Sequence, residues 1–403
     1  MIVTDVVIIG AGIAGLSAAH ALVELGLGVV VVEATPGFRD RIRGEALHPW
    51  GAAEAAKLGL IETLRLADGQ ELPIWQRYED RQPIAPYAWA EDVPDGHVEW
   101  AVSHPALQER LLEALLGRVQ QVIRPGRFRE LRMSGDVNEV DVVVGNDLLT
   151  IAPRLVIGAD GQRSSVRKAI GGAGRRDPVH HQLGGLLLDG VALAADRTHQ
   201  AFFPGGMTVL FPRGEGRARA YLACSPAEAA RLRGPAAIDG FIAACAAPFP
   251  AGALANSRPA GAGGFFPGAD VVADRLTAPG VVLIGDAAGA NDPSQGHGLS
   301  LAFRDARELR DLLADERDWQ AAIEEFGRRR QRYFAPLRAH AIWAGKLTTE
   351  TGPGADRVRV RAARARDADP TLGGYAGIHA FGPDGLDTSE TARRHFFGED
   401  LER

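Results

Sequence analysis

The sequence predicts an α/β protein in which helices flank a parallel sheet and a second set of short strands is inserted between its parts. The first observation is an apolar, β-branched run at 3–9 that leads directly into a glycine-rich turn and a helical pattern. The second is that two later apolar runs, 155–157 and 281–284, lead into Gly158-Ala-Asp160 and Gly285-Asp286 respectively. The third is a series of short strand-like runs, separated by glycine turns, between 182 and 224.

Charge and cysteine content exclude several classes of protein. The chain has 403 residues and a net charge of −6, which argues against a nucleic-acid-binding surface or a basic membrane-docking face. Two cysteines, Cys224 and Cys245, are too few for a disulfide scaffold, and the histidines lack metal-ligand spacing, so no metal is expected. The start has no basic leader and no run of about 18 apolar residues exists, so we expect no membrane span and a cytoplasmic location.

The first strand, its turn and the following helix form a dinucleotide-binding pattern. Gly10 permits the tight turn, Gly12 lets the backbone approach a pyrophosphate, and Gly15 lets the helix pack on the strand. N–H groups at the helix start can bind the anion, and Glu33 stands where an acid binds a ribose hydroxyl. A purely structural glycine turn is the competing interpretation. The predicted contacts are Gly10, Gly12, Ile13, Ala14, Gly15, Glu33 and Ala34.

The two later runs favour FAD over NAD as the dinucleotide. After the run at 281–284 come Asp286, Pro293 and two glycines, and then a helical pattern from about Leu299. This is a second site for a polar or anionic group, and FAD is long enough to bridge both. Asp286 could hold ribityl hydroxyls, and N–H groups around 296–299 could face the flavin and stabilise its reduced, negative form. An ordinary strand-to-helix turn is the alternative.

With these motifs the chain resembles the class A flavoprotein monooxygenases, the family with the 4-hydroxybenzoate hydroxylase fold. The resemblance rests on three motifs in the family's order and spacing: the turn at 10–15, the Asp160-Gly161 motif and the Gly285-Asp286 motif with its proline and glycines. It covers residues 1–345. It implies a discontinuous, Rossmann-like FAD-binding domain of the GR2 type and an inserted, mostly antiparallel β-sheet domain over the substrate side of the flavin.

The resemblance assigns further FAD contacts residue by residue. Arg43 matches the family arginine that reaches the pyrophosphate, for which a guanidinium fork is suited. His104 stands where the family usually has arginine or glutamine. Asp160 matches an acid that supports both FAD and NAD(P)H interactions, and Gly161 follows it. The ribityl-binding acid and the loop beside the flavin ring correspond to Asp286, Pro293, Gly296, Gly298 and Leu299.

The motifs also predict how the chain is divided. Alternating valines and a turn at 145–146 predict a hairpin over 136–152. A helical pattern over 318–345 contains Pro336, which should kink it. The predicted parts are an FAD-binding domain at 1–75, 98–180 and 275–345, a substrate domain at 76–97 and 181–274, and a short helical C-terminal appendage at 346–403.

The resemblance implies an FAD-dependent monooxygenase that transfers one oxygen atom of O2 to a small molecule through a flavin C4a-hydroperoxide, with NAD(P)H as the reductant. The cofactor supplies this chemistry, while the protein orients it and excludes water. The segment after Arg43 passes beside the flavin in the family. The candidate catalytic residues are therefore Glu45 and His48 of this segment, together with Pro293 of the loop beside the flavin ring. The competing interpretation is that Glu45 caps the helix that begins near Pro49.

Aromatic residues of the inserted part, and Leu210 among them on the same strands, are candidates for the substrate pocket. Their number indicates an apolar, aromatic or polyketide-like substrate, although most of these side chains are expected in the sheet core. Arg213, beside Pro212 and Gly214, is expected in a solvent-facing turn. The substrate candidates are Phe202, Leu210, Tyr221 and Phe266, with Phe203, Phe211 and Phe265 beside them.

Other functions share this fold. A flavin-dependent halogenase would carry a Trp-x-Trp-x-Ile-Pro block, which the sequence lacks. An FAD-dependent reductase of carbon–carbon double bonds shares the Gly285-Asp286 motif. A non-catalytic FAD-binding regulator is disfavoured because the flavin-edge loop is intact. A separate flavin reductase as the source of reduced flavin stays an open alternative, and the oligomeric state is also open.

Overall fold

The protein is described from a computed structural model, which covers residues 1–42, 44–134, 137–369, 375–384 and 386–399. The strands are β1 (Ile2–Ile9), β2 (Val29–Val32), β3 (Ala46–Leu47), β4 (Gln70–Leu72), β5 (Ile74–Glu79), β6 (Gln82–Pro83), β7 (Tyr87–Ala88), β8 (Glu99–Ala101), β9 (Gln121–Ile123), β10 (Arg127–Ser134), β11 (Val137–Val144), β12 (Asp147–Gly158), β13 (Gly174–Arg176), β14 (His181–Asp189), β15 (Arg197–Phe203), β16 (Gly206–Pro212), β17 (Arg217–Cys224), β18 (Arg258–Pro259), β19 (Gly264–Gly268), β20 (Val271–Ala273), β21 (Thr277–Ala278), β22 (Val281–Leu283) and β23 (Gly289–Ala290). The helices are α1 (Ile13–Glu24), α2 (Pro49–Lys57), α3 (Ile61–Leu66), α4 (Trp89–Asp92), α5 (His104–Glu113), α6 (Ser165–Ala169), α7 (Pro226–Arg231), α8 (Ile238–Ala246), α9 (Gly298–Asp315), α10 (Trp319–Thr349), α11 (Pro353–Ala368), α12 (Tyr375–Phe381) and α13 (Glu390–Phe396).

The first large sheet has the order β10-β11-β12-β1-β2-β9, with β22 on β12 and β21 on β22. Its central strands β22, β12, β1, β2 and β9 run parallel. Side chains alternate across each strand, so Val6 and Ile8 pack with helices α1 and α9 on one face while Val7 and Ile9 pack into a separate cluster on the other. Both faces are buried, which is why these strands are continuous apolar runs in the sequence.

The second large sheet has the order β18-β14-β17-β16-β15-β5-β6, with β19 on β14 and β7 on β5. Within the described residues its pairings are antiparallel except that of β15 with β5. The α/β fold with a parallel sheet and an inserted, mostly antiparallel sheet is therefore confirmed. The boundaries between the domains stay a prediction.

The hairpin predicted over 136–152 is present, since β11 and β12 pair antiparallel from Val140–Ile151 to Val144–Asp147. However, β12 does not end there. It continues to Gly158, and its second half pairs parallel with β1, so one strand of 12 residues serves both the hairpin and the parallel sheet. Farther along, α10 contains Pro336 within its 31 residues.

The C-terminal helices pack against the rest of the protein, which confirms a helical tail. Ile378 of α12 lies in an apolar cluster with Trp50 of α2. Beyond α12, Asp384 accepts a hydrogen bond of 2.6 Å from Arg304 of α9. Within the described ranges, no helix combines the length and apolar character that crossing a membrane requires.

Candidate active site

A cavity of about 510 Å³ lies where the carboxyl ends of the parallel strands meet one face of the antiparallel sheet. Open α/β sheets bind ligands at this edge, because the turns after the strands are free to face a ligand there. The predicted site residues that line it are Gly10, Gly12, Ile13, Ala14, Glu33, Ala34, Glu45, His48, His104, Asp160, Gly161, Tyr221, Asp286, Pro293, Gly296, Gly298 and Leu299. The described residues that were predicted and do not line it are Gly15, Phe202, Phe203, Leu210, Phe265 and Phe266, whereas Phe211 does line it. Arg43 lies outside the described residues.

Two glycines at the turn between β1 and α1, Gly10 and Gly15, have no room for a side chain. Gly10 has φ +106°, and a Cβ on it would lie 2.5 Å from the carbonyl oxygen of Ala159. A Cβ on Gly15 would lie 2.0 Å from the carbonyl oxygen of Gly10, so α1 packs directly on the turn. Gly12 precedes α1 and offers no side-chain cap, so the first N–H groups of α1 are free for an anion at the cavity wall.

The acid after β2 is fixed in place by the same turn. Glu33 accepts a hydrogen bond of 2.9 Å from the backbone N–H of Ala11 through Oε2. Its Oε1 accepts from the backbone N–H of Thr35 at 2.8 Å and from the Thr35 hydroxyl at 2.6 Å. A carboxylate oxygen has two lone pairs, and those of Oε1 are both taken by Thr35, whereas Oε2 accepts one bond from the described residues. Glu33 therefore keeps an acceptor on Oε2 for a ribose hydroxyl while its own position is set by the protein.

The central motif links the second and third predicted stretches. Asp160 accepts hydrogen bonds from the Ser164 hydroxyl and from the backbone N–H of Ser165, which is the first residue of α6. Arg167, in the same helix, donates to the carbonyl oxygen of Ala287 at 2.8 Å. The Asp160 carboxylate thus stabilises the start of α6, and this helix holds the segment that follows Asp286.

The loop before α9 exposes backbone donors to the cavity. Residues Pro293–Gln295 form a 3₁₀ turn, and Gly296 follows with φ +72°. A Cβ on Gly296 would lie 2.7 Å from His48 Nε2, so this loop packs directly on the imidazole. Because α9 begins at Gly298, the N–H groups of Gly298 and Leu299 have no acceptor within the helix. Both residues line the cavity.

His48 precedes α2, whose first residue is Pro49, as the sequence predicts. Its Nδ1 lies 2.9 Å from Glu99 Oε1, and its Nε2 lies 2.9 Å from the carbonyl oxygen of Gln295. The other oxygen of Glu99 accepts from the Thr198 hydroxyl. His48 and Glu99 are both buried, and both line the cavity.

Glu45 does not cap α2, and Arg213 does not face solvent. The cap position of α2 is taken by His48, which makes no side-chain capping bond. Glu45 instead accepts from Arg219 Nε at 2.7 Å and from Arg213 Nη1 at 3.2 Å, and Arg219 also donates to Asp40 at 2.6 Å. The Glu45 carboxylate is therefore hydrogen-bonded by two guanidinium groups. Both arginines reach it because Arg213 follows β16 and Arg219 lies on β17, at the cavity end of the sheet. A catalytic role for Glu45 stays a prediction.

Alternation along the strands decides which side chains reach the substrate side. Leu210 packs in the apolar cluster on the opposite face of β16, and Phe202 is 39% exposed. Phe266 is half-buried on β19, where it pairs with Leu183. The apolar wall of the cavity is formed by Leu183, Met207, Val209, Phe211 and Tyr221.

Tyr221 brings a polar group to this apolar wall. Its hydroxyl is buried and has no hydrogen-bond partner among the described residues. Burial raises the pKa of the Tyr221 hydroxyl well above its ordinary value, so it stays protonated at neutral pH. A buried hydroxyl without a partner is costly, and a ligand acceptor in the cavity would satisfy it.

Comparison with known proteins identifies the family. A family model described as FAD binding domain matches residues 3–324. The chain belongs to this FAD-binding family, that of the class A flavoprotein monooxygenases. It is 28% identical to 3-demethoxyubiquinol 3-hydroxylase of Escherichia coli, over 79% of this chain and 82% of that protein. It is also 28% identical to digeranylgeranylglycerophospholipid reductase 2 of Methanopyrus kandleri, over 86% and 87%. The crystal structure of p-nitrophenol 4-monooxygenase from Pseudomonas putida matches with a TM-score of 0.76 at 20% identity, over 100% and 98%.

FAD fits the cavity of this flavoprotein. The close backbone contact at Gly10 and the free N–H groups of α1 form a cradle for the pyrophosphate. At the other end, the N–H groups at the start of α9 face the cavity, where they suit the negative charge of a reduced flavin. Asp286, half-buried between the two, is placed to accept hydroxyl hydrogen bonds from the ribityl chain. FAD is the cofactor, as the motifs predict.

Several cavity residues of the flavoprotein have no sequence motif. Glu99 lies on β8, a strand of three residues, and Thr198 lies at the start of β15. Trp75 and Trp89 stack with ring centres 5.7 Å apart beside the tail. His379 comes from α12 and lines the cavity. These residues are far apart along the chain, and only the packing of the tail and the two sheets brings them together.

Proposed function

We propose that this flavoprotein transfers one oxygen atom of O2 to an apolar, aromatic or polyketide-like molecule, with NAD(P)H as the reductant. The observation that carries the proposal is the continuity of one cavity, from the glycine cradle for FAD to the apolar wall formed by β14, β16 and β17. When bound, FAD would pass electrons from NAD(P)H to O2 and so activate it. The residues of this chain bind the two molecules, orient them and exclude water.

The character of the wall supports an apolar substrate with a hydrogen-bond acceptor. Val209 and Phe211 present apolar surface, and Tyr221 presents a protonated hydroxyl. Such pockets hold the body of a ligand by apolar contact and fix its orientation by a few polar groups. Similarity to a 3-demethoxyubiquinol 3-hydroxylase and to a p-nitrophenol 4-monooxygenase supports oxygen transfer to a ring.

A reductase of carbon–carbon double bonds is the second candidate. It is favoured by the similarity to a digeranylgeranylglycerophospholipid reductase, which spans as much of the chain as the similarity to the hydroxylase. Both reactions need FAD and an apolar substrate. The two reactions differ in their need for O2, because only oxygen transfer consumes it.

The test is a turnover screen of the FAD-loaded protein with aromatic and polyketide substrates under ¹⁸O2. The proposal expects NADH- or NADPH-dependent O2 uptake and a product that carries one ¹⁸O atom. A product that gains two hydrogens, formed equally well without O2, would show the reductase instead. If turnover requires an added flavin reductase, oxygen transfer stands and direct NAD(P)H use does not.

A further inference from the structure

The hydrogen-bond partners of His48 determine where its protons lie. Nε2 faces the carbonyl oxygen of Gln295, which can only accept, so Nε2 carries a hydrogen. Nδ1 faces an oxygen of Glu99 at 2.9 Å, and this contact needs a hydrogen between the two atoms. Neutral His48 opposite ionised Glu99 would leave two lone pairs facing each other. The buried pair therefore holds one proton more than neutral His48 and ionised Glu99 would carry together.

The pair contacts the loop that faces the flavin in three ways. His48 donates to Gln295, packs so closely on Gly296 that a Cβ there would lie 2.7 Å from Nε2, and lies edge-on to His297 with ring centres 5.0 Å apart. Glu99 is fixed in turn by the hydroxyl of Thr198 from the antiparallel sheet. His48 thus connects the loop to β8 and, through Glu99, to β15.

We infer that His48, held by Glu99, is a positioning residue for the loop at 293–298, and that the proton of this pair stabilises reduced FAD relative to oxidised FAD. An imidazole is more basic than a carboxylate, and the other oxygen of Glu99 also accepts from Thr198, so the shared proton is assigned to Nδ1 of His48. His48, which lies toward the loop, is then the positive end of the pair, and Glu99, which lies away from it, is the negative end. Reduced flavin carries more negative charge, so a fixed dipole with this direction favours reduction. In addition, the hydrogen bond to Gln295 fixes the loop segment that leads into α9, where the free N–H groups lie.

The other titratable groups that face His48 do not compensate its charge. His297 at the start of α9 and His379 of α12 lie with ring centres 5.0 and 4.3 Å from it. Burial lowers the pKa of both imidazoles well below the ordinary value, so both are neutral. The three histidines are close enough for their nitrogens to share a metal ion. However, neither nitrogen of His48 has a free lone pair for a metal, because both engage protein oxygens.

Two variants separate the proton from the hydrogen bonds. In Glu99→Gln, the amide can donate to Nδ1 and its oxygen can still accept from Thr198, so the geometry is kept while the additional proton is lost. In His48→Phe, the ring remains but both hydrogen bonds are lost. The matched control is Glu62→Gln, an exposed glutamate of α3 whose side chain is 69% exposed.

The experiment measures the midpoint potential of bound FAD by anaerobic reduction with a reference dye and without substrate. For Glu99→Gln we expect the preference for reduced FAD to fall about threefold, and for His48→Phe we expect it to fall about tenfold. For a two-electron couple, a tenfold fall lowers the midpoint potential by about 30 mV. Glu62→Gln should keep the potential of the unmodified protein. Thermal melting and the absorbance ratio of flavin to protein report folding and FAD content for each variant.

An unchanged potential in a folded, FAD-loaded Glu99→Gln would overturn the role of the proton, even if His48→Phe does not fold. A purely structural role would lower FAD content or melting temperature and leave the potential unmoved. The inference rests on the flavin assignment of the loop and not on oxygen transfer. Failure of the ¹⁸O2 experiment with a shifted potential would therefore count against the proposed reaction alone.

Discussion

The two ends of the cavity are built by different means. At the nucleotide end, backbone atoms make the close contacts, and glycines at positions without room for a Cβ are the residues that matter. At the substrate end, side chains on one face of β14, β16 and β17 form the wall. The close backbone contacts at the nucleotide end require glycine at positions with a fixed spacing. A sheet face, in contrast, can be formed by many different apolar residues.

The largest effect is expected where the nucleotide end is most crowded. In Gly15→Ala the added Cβ meets the carbonyl oxygen of Gly10 at 2.0 Å, so α1 must move off the turn. We expect FAD affinity to fall by more than about 100-fold, equivalent to about 3 kcal/mol. The measurement is FAD titration followed by protein fluorescence. Gly37→Ala is the control, because nothing lies within 4 Å of its Cβ, and equal affinities in the two variants would contradict the crowding argument.

At the substrate end, the largest effect is expected from the buried charges below the wall. Glu45→Gln removes the carboxylate that faces Arg219 and Arg213, both of which are buried or nearly so. Breaking a buried ion pair from one side leaves an uncompensated charge, so we expect unfolding to become easier by about 3 kcal/mol. Urea denaturation measures this.

Strand β17, which carries Arg219, also supplies the control for Glu45→Gln. Arg217 of β17 pairs with Asp189, and its side chain is 51% exposed. Exposed pairs contribute little, so Asp189→Asn should leave the urea midpoint unchanged. A similar loss of stability in both variants would mean that burial is not what distinguishes the Glu45 cluster.

A smaller, pH-dependent effect is expected behind the flavin loop. Burial raises the pKa of Asp270 to about 7, above the value of an unfolded aspartate. Its stabilising contribution is therefore present at low pH and is lost as pH rises through about 7. Asp270→Asn keeps an oxygen for Asn291 and for the backbone N–H of Asp292. We expect the variant to be more stable by about 2 kcal/mol at pH 8 and little changed at pH 4.5. Melting curves at the two pH values test this, and an equal shift at both would refute the titration.

Removal of the one unpartnered hydroxyl of the wall should affect binding more than folding. Tyr221→Phe deletes a donor that has no described protein partner, so the melting temperature should not fall. With a substrate that carries an acceptor, we expect KM to rise about threefold to tenfold, the effect of one hydrogen bond of about 1 kcal/mol. FAD titration should be unchanged. A lower melting temperature with an unchanged KM would assign the hydroxyl to the fold instead.

The contrast between the ends also explains what the sequence can predict. Gly10, Gly12, Glu33 and Asp286 are recognised because backbone geometry and strand ends fix their spacing, and all four line the cavity. Glu99 and His379 cannot be recognised in this way, because a three-residue strand and a tail helix bring them to the site by packing alone. On β16, composition singles out Leu210, while the register with β15 and β17 turns Val209 toward the cavity.

The smallest effect is expected at Phe202, and it tests this register directly. Phe202 lies on β15, is 39% exposed and is not among the described cavity residues, whereas Val209 is buried and lines the cavity. We therefore expect Phe202→Ala to leave KM unchanged and Val209→Ala to change it severalfold, since a deleted methyl pair is worth about 1 kcal/mol or more. The measurement is a substrate titration of both variants with equal FAD content. If Phe202→Ala changed KM more than Val209→Ala did, substrate would bind beyond the cavity at the exposed end of β15, and the wall would extend past the face formed by β16 and β17.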